Sequence, residues 1–465
     1  TAIQTFLNSL DSNHVANFGA TTLAHNSTRS ESFETFETIG TIGTTETPRY
    51  CAARYYLDSG AVLPISECER SLDTRKLGGL MFYPDLTPFG VDNERLANDR
   101  LVRLQSAMKE HGLGALLLTD WINIRYATNT VMMLGLRATA IQRFALIPPE
   151  GAPLICQREL SRRPKYRSLR FDAFMFGMRP PLATQDFVKQ AVAGLQELGA
   201  AGERVGVDSL NLEAVESLKA AGIRLVDGTR AVNQARAIKT ADEVQLIRWT
   251  TKAKERGYDL VRKALKEPDV PEDKLSRIML DVLLDQGFEA GSEFISIYDS
   301  SRADSRPHNE PMGCDLVVIE GDLVITDATV AGPGGYYSDF CRTFSRGKPT
   351  PETRERYKEA YESMQRALPF VKPGPCTEAF KRFGKGATAR LPGFDGFHGV
   401  GLCIYESPWL RGGDPEQYMI SLQENMIVAL EINHYPVKLE HLLRVTATGA
   451  EILSTYPMDS ELVPA

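Results

Sequence analysis

Two aspartates flank a Pro-Gly-Gly turn in the stretch ITDATVAGPGGYYSDFCRTF, which begins at Ile325. The flanking residues are rich in Ile, Tyr and Phe, which favour buried strands, whereas strands normally exclude Asp. With the turn centred on Pro333, we expect Asp327 and Asp339 to lie opposite each other on one face of a hairpin. Buried carboxylates at that separation repel each other unless a cation lies between them. The stretch therefore predicts a hairpin that binds a metal ion.

A second hairpin is predicted near the C-terminus, in NMIVALEINHYPVKLEHLLRV from Asn425. A turn at Tyr435-Pro436 places Glu431 opposite Glu440, and the imidazole of His398, in GFHGVGLC, adds a nitrogen ligand. Two Asp, two Glu and one His suit a pair of divalent ions (Mn, Fe, Co or Zn) that lie about 3.5–4 Å apart and share a water. Each residue taken alone also has a structural explanation, as a turn residue, an ion-pair partner or a core histidine, so the set carries the prediction.

The 465 residues predict two domains. From about Asn93, strands alternate with amphipathic helices, which predicts an α/β layer with a largely parallel sheet. Beyond about Gln234 come a long helix capped by Thr240, further helices and antiparallel strands, which predicts an α+β domain. We place the domains at 76–234 and 235–465. Residues 1–75 are rich in Ser and Thr, and they are expected to form either an edge strand or an arm on a neighbouring subunit.

Composition argues against several classes of protein. The net charge is −7 and there is no dense Lys/Arg block, so we expect no nucleic-acid partner. The apolar runs are too short to span a bilayer, so we expect no membrane association. The seven cysteines are scattered and none forms a CxxC pair, which argues against a zinc ribbon or a disulfide framework. A reduced, cytoplasmic protein is the resulting prediction.

In order and context, the five candidate ligands resemble those of the pita-bread metallopeptidases: aminopeptidase P, prolidase, methionine aminopeptidase and creatinase. The resemblance runs from about Asn93 to the C-terminus, through RAIKTADEVQLIR, GDLVITD, SDFCRTF and HGVG. It implies a creatinase-like N-terminal domain, a pita-bread catalytic domain and commonly a homodimer. It also implies that Asp327 holds one ion, that Asp339 and Glu440 bridge both ions, and that His398 and Glu431 hold the second ion.

Within that family, INIRYAT, HGVGLC and the C-terminal segment are similar to dimethylsulfoniopropionate lyases. The chain departs from those lyases at Ile404, where they carry a catalytic Asp, and at Thr329, where they carry a further Asp. His308 lies in a Pro-His context similar to that of a substrate-facing His in the peptidases. Tyr405 stands in YESP, where the peptidases usually carry a second His.

Three functional hypotheses remain open. The leading one is a dinuclear metal-dependent hydrolase that cleaves a C–N bond in an Xaa-Pro peptide or a creatine-like amide or amidine. In this hypothesis Glu431 transfers a proton, His308 donates to the tetrahedral intermediate, and Tyr405 lies at the catalytic site. The second is a dimethylsulfoniopropionate lyase-like eliminating enzyme, with Tyr405, Asp395 or hydroxide as its base. The third is a metal-free pita-bread binding protein, although five unpaired ligands would destabilise such a fold.

Overall fold

The computed structural model describes residues 85–131, 143–157, 168–170, 180–268, 270–292, 295–298, 317–375, 394–410, 421–434, 436–459 and 462. The predicted arm, residues 1–75, lies outside these residues, as does His308.

The N-terminal part is built around a six-stranded sheet with helices packed against it. Its strands are β1 (Ala115–Leu118), β2 (Arg143–Ile147), β3 (Leu154–Gln157), β4 (Ser168–Arg170), β5 (Arg204–Val207) and β6 (Arg224–Asp227). Its helices are α1 (Asn93–Glu110), α2 (Trp121–Thr128), α3 (Pro180–Glu197), α4 (Leu212–Ala220) and α5 (Thr229–Ala237), preceded by a 3-10 turn at Thr87–Phe89. The predicted alternation of strands and helices is confirmed in this part of the chain.

The N-terminal sheet is mixed, whereas the sequence predicted a largely parallel one. Its strand order is β4-β3-β2-β1-β5-β6. The pairs β1–β5, β5–β6 and β3–β4 are parallel, but β1–β2 and β2–β3 are antiparallel. The short Pro-Glu-Gly connection between β2 and β3 explains the second antiparallel pair, because parallel neighbours need a long crossover.

The C-terminal part combines long helices with antiparallel sheets. Its helices are α6 (Ala241–Ala264), α7 (Glu272–Asp285) and α8 (Pro351–Ala367), with 3-10 turns at Pro333–Gly335 and Leu368–Phe370. Its first strands are β7 (Val270–Pro271), β8 (Ala290–Ser292), β9 (Ile295–Tyr298), β10 (Val317–Val318), β11 (Leu323–Thr326), β12 (Thr329–Ala331), β13 (Tyr337–Ser338) and β14 (Arg342–Ser345). The later strands are β15 (Gly374–Pro375), β16 (Phe394–Gly399), β17 (Glu406–Leu410), β18 (Ser421–Leu422), β19 (Ile427–His434), β20 (Val437–Val445) and β21 (Ala450–Ile452).

Three antiparallel sheets carry the candidate ligands. Their orders are β17-β16-β19-β20-β21, β14-β11-β9 and β13-β12-β8. Helix α8 packs on β19 and β20, and the apolar residues between them form one buried cluster. Helix α6 packs against β12, β13 and α7, so it lies behind the hairpin that carries the two aspartates. The expected α+β architecture is thus confirmed for the described residues.

Helix α6 begins where the sequence predicted. The Thr240 side chain accepts a hydrogen bond from the Glu243 backbone NH at 3.2 Å, and Glu243 accepts one from the Thr240 NH at 2.7 Å. This capping box satisfies donors that the first helical turn leaves unpaired. The other Glu243 oxygen accepts a hydrogen bond from the Tyr336 hydroxyl at 2.8 Å, which ties the start of α6 to the Pro-Gly-Gly turn.

Among the described residues, no helix is both long enough and apolar enough to cross a bilayer. The described cysteines Cys156, Cys341 and Cys403 are free thiols, and the predicted domain boundary at Gln234 falls inside α5.

We expect Thr240→Ala to lower the free energy of unfolding by about 1 kcal/mol, because the cap is lost while the helix remains. Chemical denaturation of the full chain measures the change. The control is Lys263→Ala on the same helix. Its exposed side chain pairs with Asp259 among the described residues, and the change should alter the free energy of unfolding by less than about 0.5 kcal/mol. Equal losses in the two variants would contradict the capping argument.

Candidate metal centre

The C-terminal hairpin places two glutamates directly opposite each other. Strands β19 and β20 pair from Ile427↔Arg444 to His434↔Val437, and this register contains the pair Glu431↔Glu440. Both side chains are buried, with 4% and 0% of their residue surface exposed. The predicted pairing of Glu431 with Glu440 is therefore confirmed, and the sheet holds two buried carboxylates side by side.

The two aspartates share the same region but are not directly opposed, which corrects the predicted register. Thr326 pairs with Arg342, and Val330 pairs with Ser338. Continuing these ladders places Asp327 two residues out of register with Asp339. This register means that the hairpin turn is centred one residue after Pro333, the predicted centre. Both carboxylates are nevertheless buried, and the charge of Asp327 acts on Asp339.

His398 lies on β16, which pairs with β19, so the sheet brings it next to Glu431. Its Nε2 lies 3.1 Å from Glu431 Oε1 and 3.5 Å from Asp339 Oδ2. Its Nδ1 lies 3.2 Å from the carbonyl oxygen of Gly399, which can only accept a hydrogen bond. The Nδ1 proton is therefore held by the backbone, and Nε2 is the nitrogen directed at the carboxylates.

The glycines of the GFHGVGLC stretch are required by close packing. A Cβ on Gly399 would lie 2.4 Å from the Ser407 carbonyl oxygen. A Cβ on Gly401 would lie 2.2 Å from Glu406 Oε1. Both distances are too short for any side chain at these positions, so the glycines allow the segment after His398 to lie against β17.

Three of the five predicted ligands form a compact set. Asp339, His398 and Glu440 each offer a ligand atom, and these atoms all lie within 4.8 Å of one another. Within the described residues neither carboxylate oxygen of Glu440 has a hydrogen-bond partner, although the side chain is fully buried. A buried carboxylate without donors is costly unless a cation binds it. The donor set therefore fits a divalent ion, while the role of each ligand stays a prediction.

Sequence reasoning missed a lysine inside this cluster. The Lys438 ammonium lies 2.5 Å from Asp327 Oδ2 and 3.6 Å from Glu440 Oε2, and the residue is only 6% exposed. The signal was present in the strand period, because Lys438 precedes Glu440 by two residues on β20 and must share its face.

A second buried lysine lies on helix α6. Lys254 is fully buried, and its Nζ has no hydrogen-bond partner among the described residues. The ammonium lies 4.5 Å from the centre of the Phe340 ring and 5.6 Å from that of Tyr258. Its helical position offered a signal, because it shares the buried face with Ile247, Thr251, Tyr258 and Val261 at spacings of three and four residues.

Burial and mutual repulsion shift the acids of the cluster. Desolvation, followed by the charge of Asp327, raises the pKa of Asp339 above its usual value. Desolvation, followed by the charge of Asp339, raises the pKa of Glu440 well above its usual value. Burial by itself lowers the pKa of His398, but the Glu431 hydrogen bond and the Asp339 charge outweigh it and raise the pKa. Because the ligands must lose their protons to bind a metal ion, these raised pKa values make metal binding compete with protons.

Tyr405 covers the imidazole from the open side. Its ring lies 4.4 Å from the His398 ring and 5.3 Å from the Trp409 ring, and the residue is 48% exposed. Desolvation, with the charges of Asp339 and Glu431, raises the pKa of Tyr405 to about 12. The phenol is thus protonated at neutral pH and can donate a hydrogen bond to a group bound at the cluster.

The segment that carries Tyr405 is anchored by the next residue, Glu406, which the sequence analysis did not single out. Its carboxylate lies 2.5 Å from Arg236 Nη2 and 2.6 Å from Lys239 Nζ, and all three side chains are buried. Arg236 also donates to Asn123 Oδ1 at 2.8 Å. The position of Tyr405 is therefore set partly by the α5–α6 connection and by α2.

Two family models match the chain. The model for metallopeptidase family M24 matches residues 245–447, and that for the creatinase/prolidase N-terminal domain matches residues 100–238. The dimethylsulfoniopropionate lyase DddP of Roseovarius nubinhibens is 27% identical over 403 residues, which cover 80% of this chain and 88% of that protein. The uncharacterized peptidase YqhT of Bacillus subtilis is 23% identical over 370 residues, which cover 77% of this chain and 99% of that protein.

Among solved structures, the Xaa-Pro dipeptidase from Bacillus anthracis matches with a TM-score of 0.57 and 21% identity. The match covers 78% of this chain and 99% of that chain, and at this identity it shows the fold alone. Together these findings give the chain an α/β creatinase-like N-terminal domain followed by an α+β pita-bread catalytic domain.

We expect stabilisation of the chain by Mn²⁺ to increase steadily from pH 5 to pH 8. The folded-state pKa values of Asp339 and Glu440 lie above the unfolded values of about 4. The metal-free folded chain therefore binds more protons than the unfolded chain, and its stability falls as pH rises and those protons are lost. A metal ion takes the place of those protons. Thermal unfolding with and without Mn²⁺ measures the difference.

The comparison with and without Mn²⁺ cancels the pH-dependent stability that comes from groups outside the cluster. His441 is one such group, because burial lowers its pKa well below the usual value. Glu440→Gln is the matched variant, because it removes one raised carboxylate, and its Mn²⁺ effect should be smaller and less dependent on pH. A wild-type difference that is flat from pH 5 to pH 8 would contradict the raised pKa values.

Proposed function

The chain is a metallohydrolase of the aminopeptidase P, prolidase and creatinase type, and on that premise we propose that it hydrolyses a C–N bond in a small polar substrate. The observation that carries the proposal is the buried set of Asp339, His398 and Glu440, whose ligand atoms lie within 4.8 Å of one another. Suitable substrates are an Xaa-Pro peptide or a creatine-like amide or amidine.

We propose two divalent ions of Mn, Fe, Co or Zn as the cofactor, held by the five predicted ligands. Asp327 would hold one ion, Asp339 and Glu440 would contact both, and His398 and Glu431 would hold the other. Ions of this kind polarise a carbonyl and lower the pKa of a bound water toward about 7. The oxygen-rich set with a single imidazole supports these metals.

The chain's own residues would supply the proton transfers. Glu431 is buried beside His398 at 3.1 Å, so its carboxylate can accept a proton from water and deliver it to the leaving nitrogen. The protonated phenol of Tyr405 would donate a hydrogen bond to the oxygen that gains charge. A donor role for His308 stays a prediction, since that residue lies outside the described part of the chain.

A lyase acting on a dimethylsulfoniopropionate-like substrate is the second candidate. It is favoured by the 27% identity to a protein with that name over 80% of this chain. The residue at the position of the lyases' catalytic Asp counts against it. Ile404 cannot accept a proton, and a Tyr405 phenol with a pKa of about 12 is a poor base at neutral pH. Headspace detection of dimethyl sulfide would decide for the lyase.

We propose a homodimer in the cytoplasm as the working form, on the resemblance and on the scattered cysteines, none of which has CxxC spacing. Light scattering during gel filtration tests the first point. Elemental analysis tests the third hypothesis, because fewer than about one ion per chain would favour a metal-free binding protein.

We expect Asp339→Asn to lose bound metal and hydrolysis together, by at least about 100-fold in activity, because a ligand within the compact set becomes neutral. Elemental analysis and a panel of Xaa-Pro dipeptides, creatine-like amides and dimethylsulfoniopropionate measure both effects. Asp259→Asn is the control, since Asp259 is exposed and pairs with Lys263 on α6. Full turnover by metal-free Asp339→Asn would refute the metal mechanism.

We expect Tyr405→Phe to lower kcat by about 100-fold while KM and metal content stay near the wild-type values, because only the hydroxyl donor is removed. Trp409→Phe keeps an aromatic ring beside Tyr405 and serves as the control, with little change in kcat. An unchanged kcat in Tyr405→Phe would rule out the donor role.

A further inference from the structure

Glu406 is a buried carboxylate that the proposed chemistry does not use. Its side chain is 5% exposed and lies 2.5 Å from Arg236 Nη2 and 2.6 Å from Lys239 Nζ, and those two side chains are 9% and 1% exposed. Burial by itself raises the pKa of Glu406, but the charges of Lys239 and Arg236 outweigh it and lower the pKa. The carboxylate is therefore charged at neutral pH and fixed between two cations.

The neighbouring side chain of Tyr405 has weaker attachments of its own. Its ring centre lies 4.4 Å from that of His398 and 5.3 Å from that of Trp409, and the residue is 48% exposed. Single aromatic contacts of this kind are weaker than a buried ion pair, whose rupture leaves an uncompensated charge. The backbone must therefore place the phenol, and Glu406 is the adjacent residue whose side chain fixes that backbone.

The strand pairing at this point is irregular, and Glu406 lies at the irregularity. Strands β16 and β17 pair His398 with Trp409 and Gly399 with Glu406, which leaves two residues of β17 without partners. Bulges of this kind redirect side chains beside functional sites. Gly401 leaves room for the carboxylate, because a Cβ there would lie 2.2 Å from Glu406 Oε1. Glu406 thus fixes the chain where Tyr405 turns toward His398.

The contacts of Arg236 continue into the N-terminal part of the chain. Arg236 donates to Asn123 Oδ1 at 2.8 Å, and Asn123 donates to Asp208 Oδ2 at 3.0 Å. These three residues lie in the region that matches the creatinase/prolidase N-terminal domain, whereas Glu406 lies in the region that matches the metallopeptidase family. The polar network around Glu406 therefore joins both regions of the chain.

We propose that Glu406 is a positioning residue that acts through Tyr405: held by Arg236 and Lys239, it keeps the phenol beside His398. The inference rests on the donor role proposed for Tyr405. It adds that side chains of the N-terminal domain set the geometry of that donor.

The first test follows Tyr405 directly and needs no substrate. The full-length chain, which has 16 tyrosines, is labelled with 3-fluorotyrosine, and the fluorine resonance that is absent from Tyr405→Phe belongs to Tyr405. We expect Glu406→Gln to shift or broaden this resonance, because the neutral amide no longer pairs with the two cations. Lys239→Met keeps the pair with Arg236 and should also move the resonance, and it decides the question if Glu406→Gln does not fold.

Asp459→Asn is the matched control. Asp459 is 3% exposed, lies 3.1 Å from Arg262 Nη2 and accepts a hydrogen bond from the Ser345 NH at 3.0 Å. Its replacement also breaks a buried ion pair in the catalytic half, so thermal stability should fall while the Tyr405 resonance stays in place. An equal change of that resonance in Asp459→Asn would mean general loosening of the fold, and the proposal would fail.

The second test is a double-mutant cycle with a substrate that the panel identifies. We expect Glu406→Gln to lower kcat by at least about tenfold, with KM and metal content near the wild-type values. In the Tyr405→Phe background the same change should alter kcat by less than about twofold, because the donor to be positioned is gone. A tenfold loss in both backgrounds would mean that Glu406 acts independently of Tyr405, which overturns the proposal.

The two possible failures are distinguishable. A Tyr405 resonance that is unchanged in the folded Glu406→Gln and Lys239→Met variants overturns the positioning role and leaves the proposed hydrolase intact. Absence of turnover with every substrate of the panel removes the proposed function instead, and the fluorine resonance still decides whether Glu406 positions Tyr405.

Discussion

The compensation of buried negative charge governs the catalytic half of this protein. Asp327, Asp339, Glu431 and Glu440 are each at most 7% exposed, and such a group of carboxylates is stable only with protons or cations beside it. The fold supplies two ammonium groups, while burial and repulsion raise the pKa values of Asp339 and Glu440. Metal binding therefore completes a charge balance that the sheets and helix α6 have already partly set.

Local and strand-period signals predicted much of the architecture. Short stretches of sequence were enough to predict three features: the Thr240 capping box, the Glu431↔Glu440 pair and the glycines beside His398. The Asp327–Asp339 register was predicted wrongly, because the exact centre of a Pro-Gly-Gly turn shifts every pair in the hairpin.

The charge partners could not be predicted in the same way. Lys438 is 111 residues from Asp327 in the sequence, and the packing of β11 and β14 against β20 brings them together. Glu406 is 170 residues from Arg236, and that contact depends on how the two halves of the chain meet. The alternation of side chains along a strand predicts the face on which a lysine lies, but it does not predict which carboxylate lies beside it. The antiparallel β1–β2 pair of the N-terminal sheet was missed for a related reason, since pairing between distant strands leaves little mark on either strand.

The clamp of Arg236 and Lys239 on Glu406 has a consequence for protein engineering. Both cations come from the segment that joins the halves, whereas the anion comes from the catalytic half, next to Tyr405. A chimera that grafts a foreign N-terminal half must therefore keep this short junction native. Otherwise Glu406 would be a buried carboxylate without its two cationic partners, and the aromatic rings beside His398 would shift with it. The junction is in effect part of the active site, although it lies far from it in the sequence.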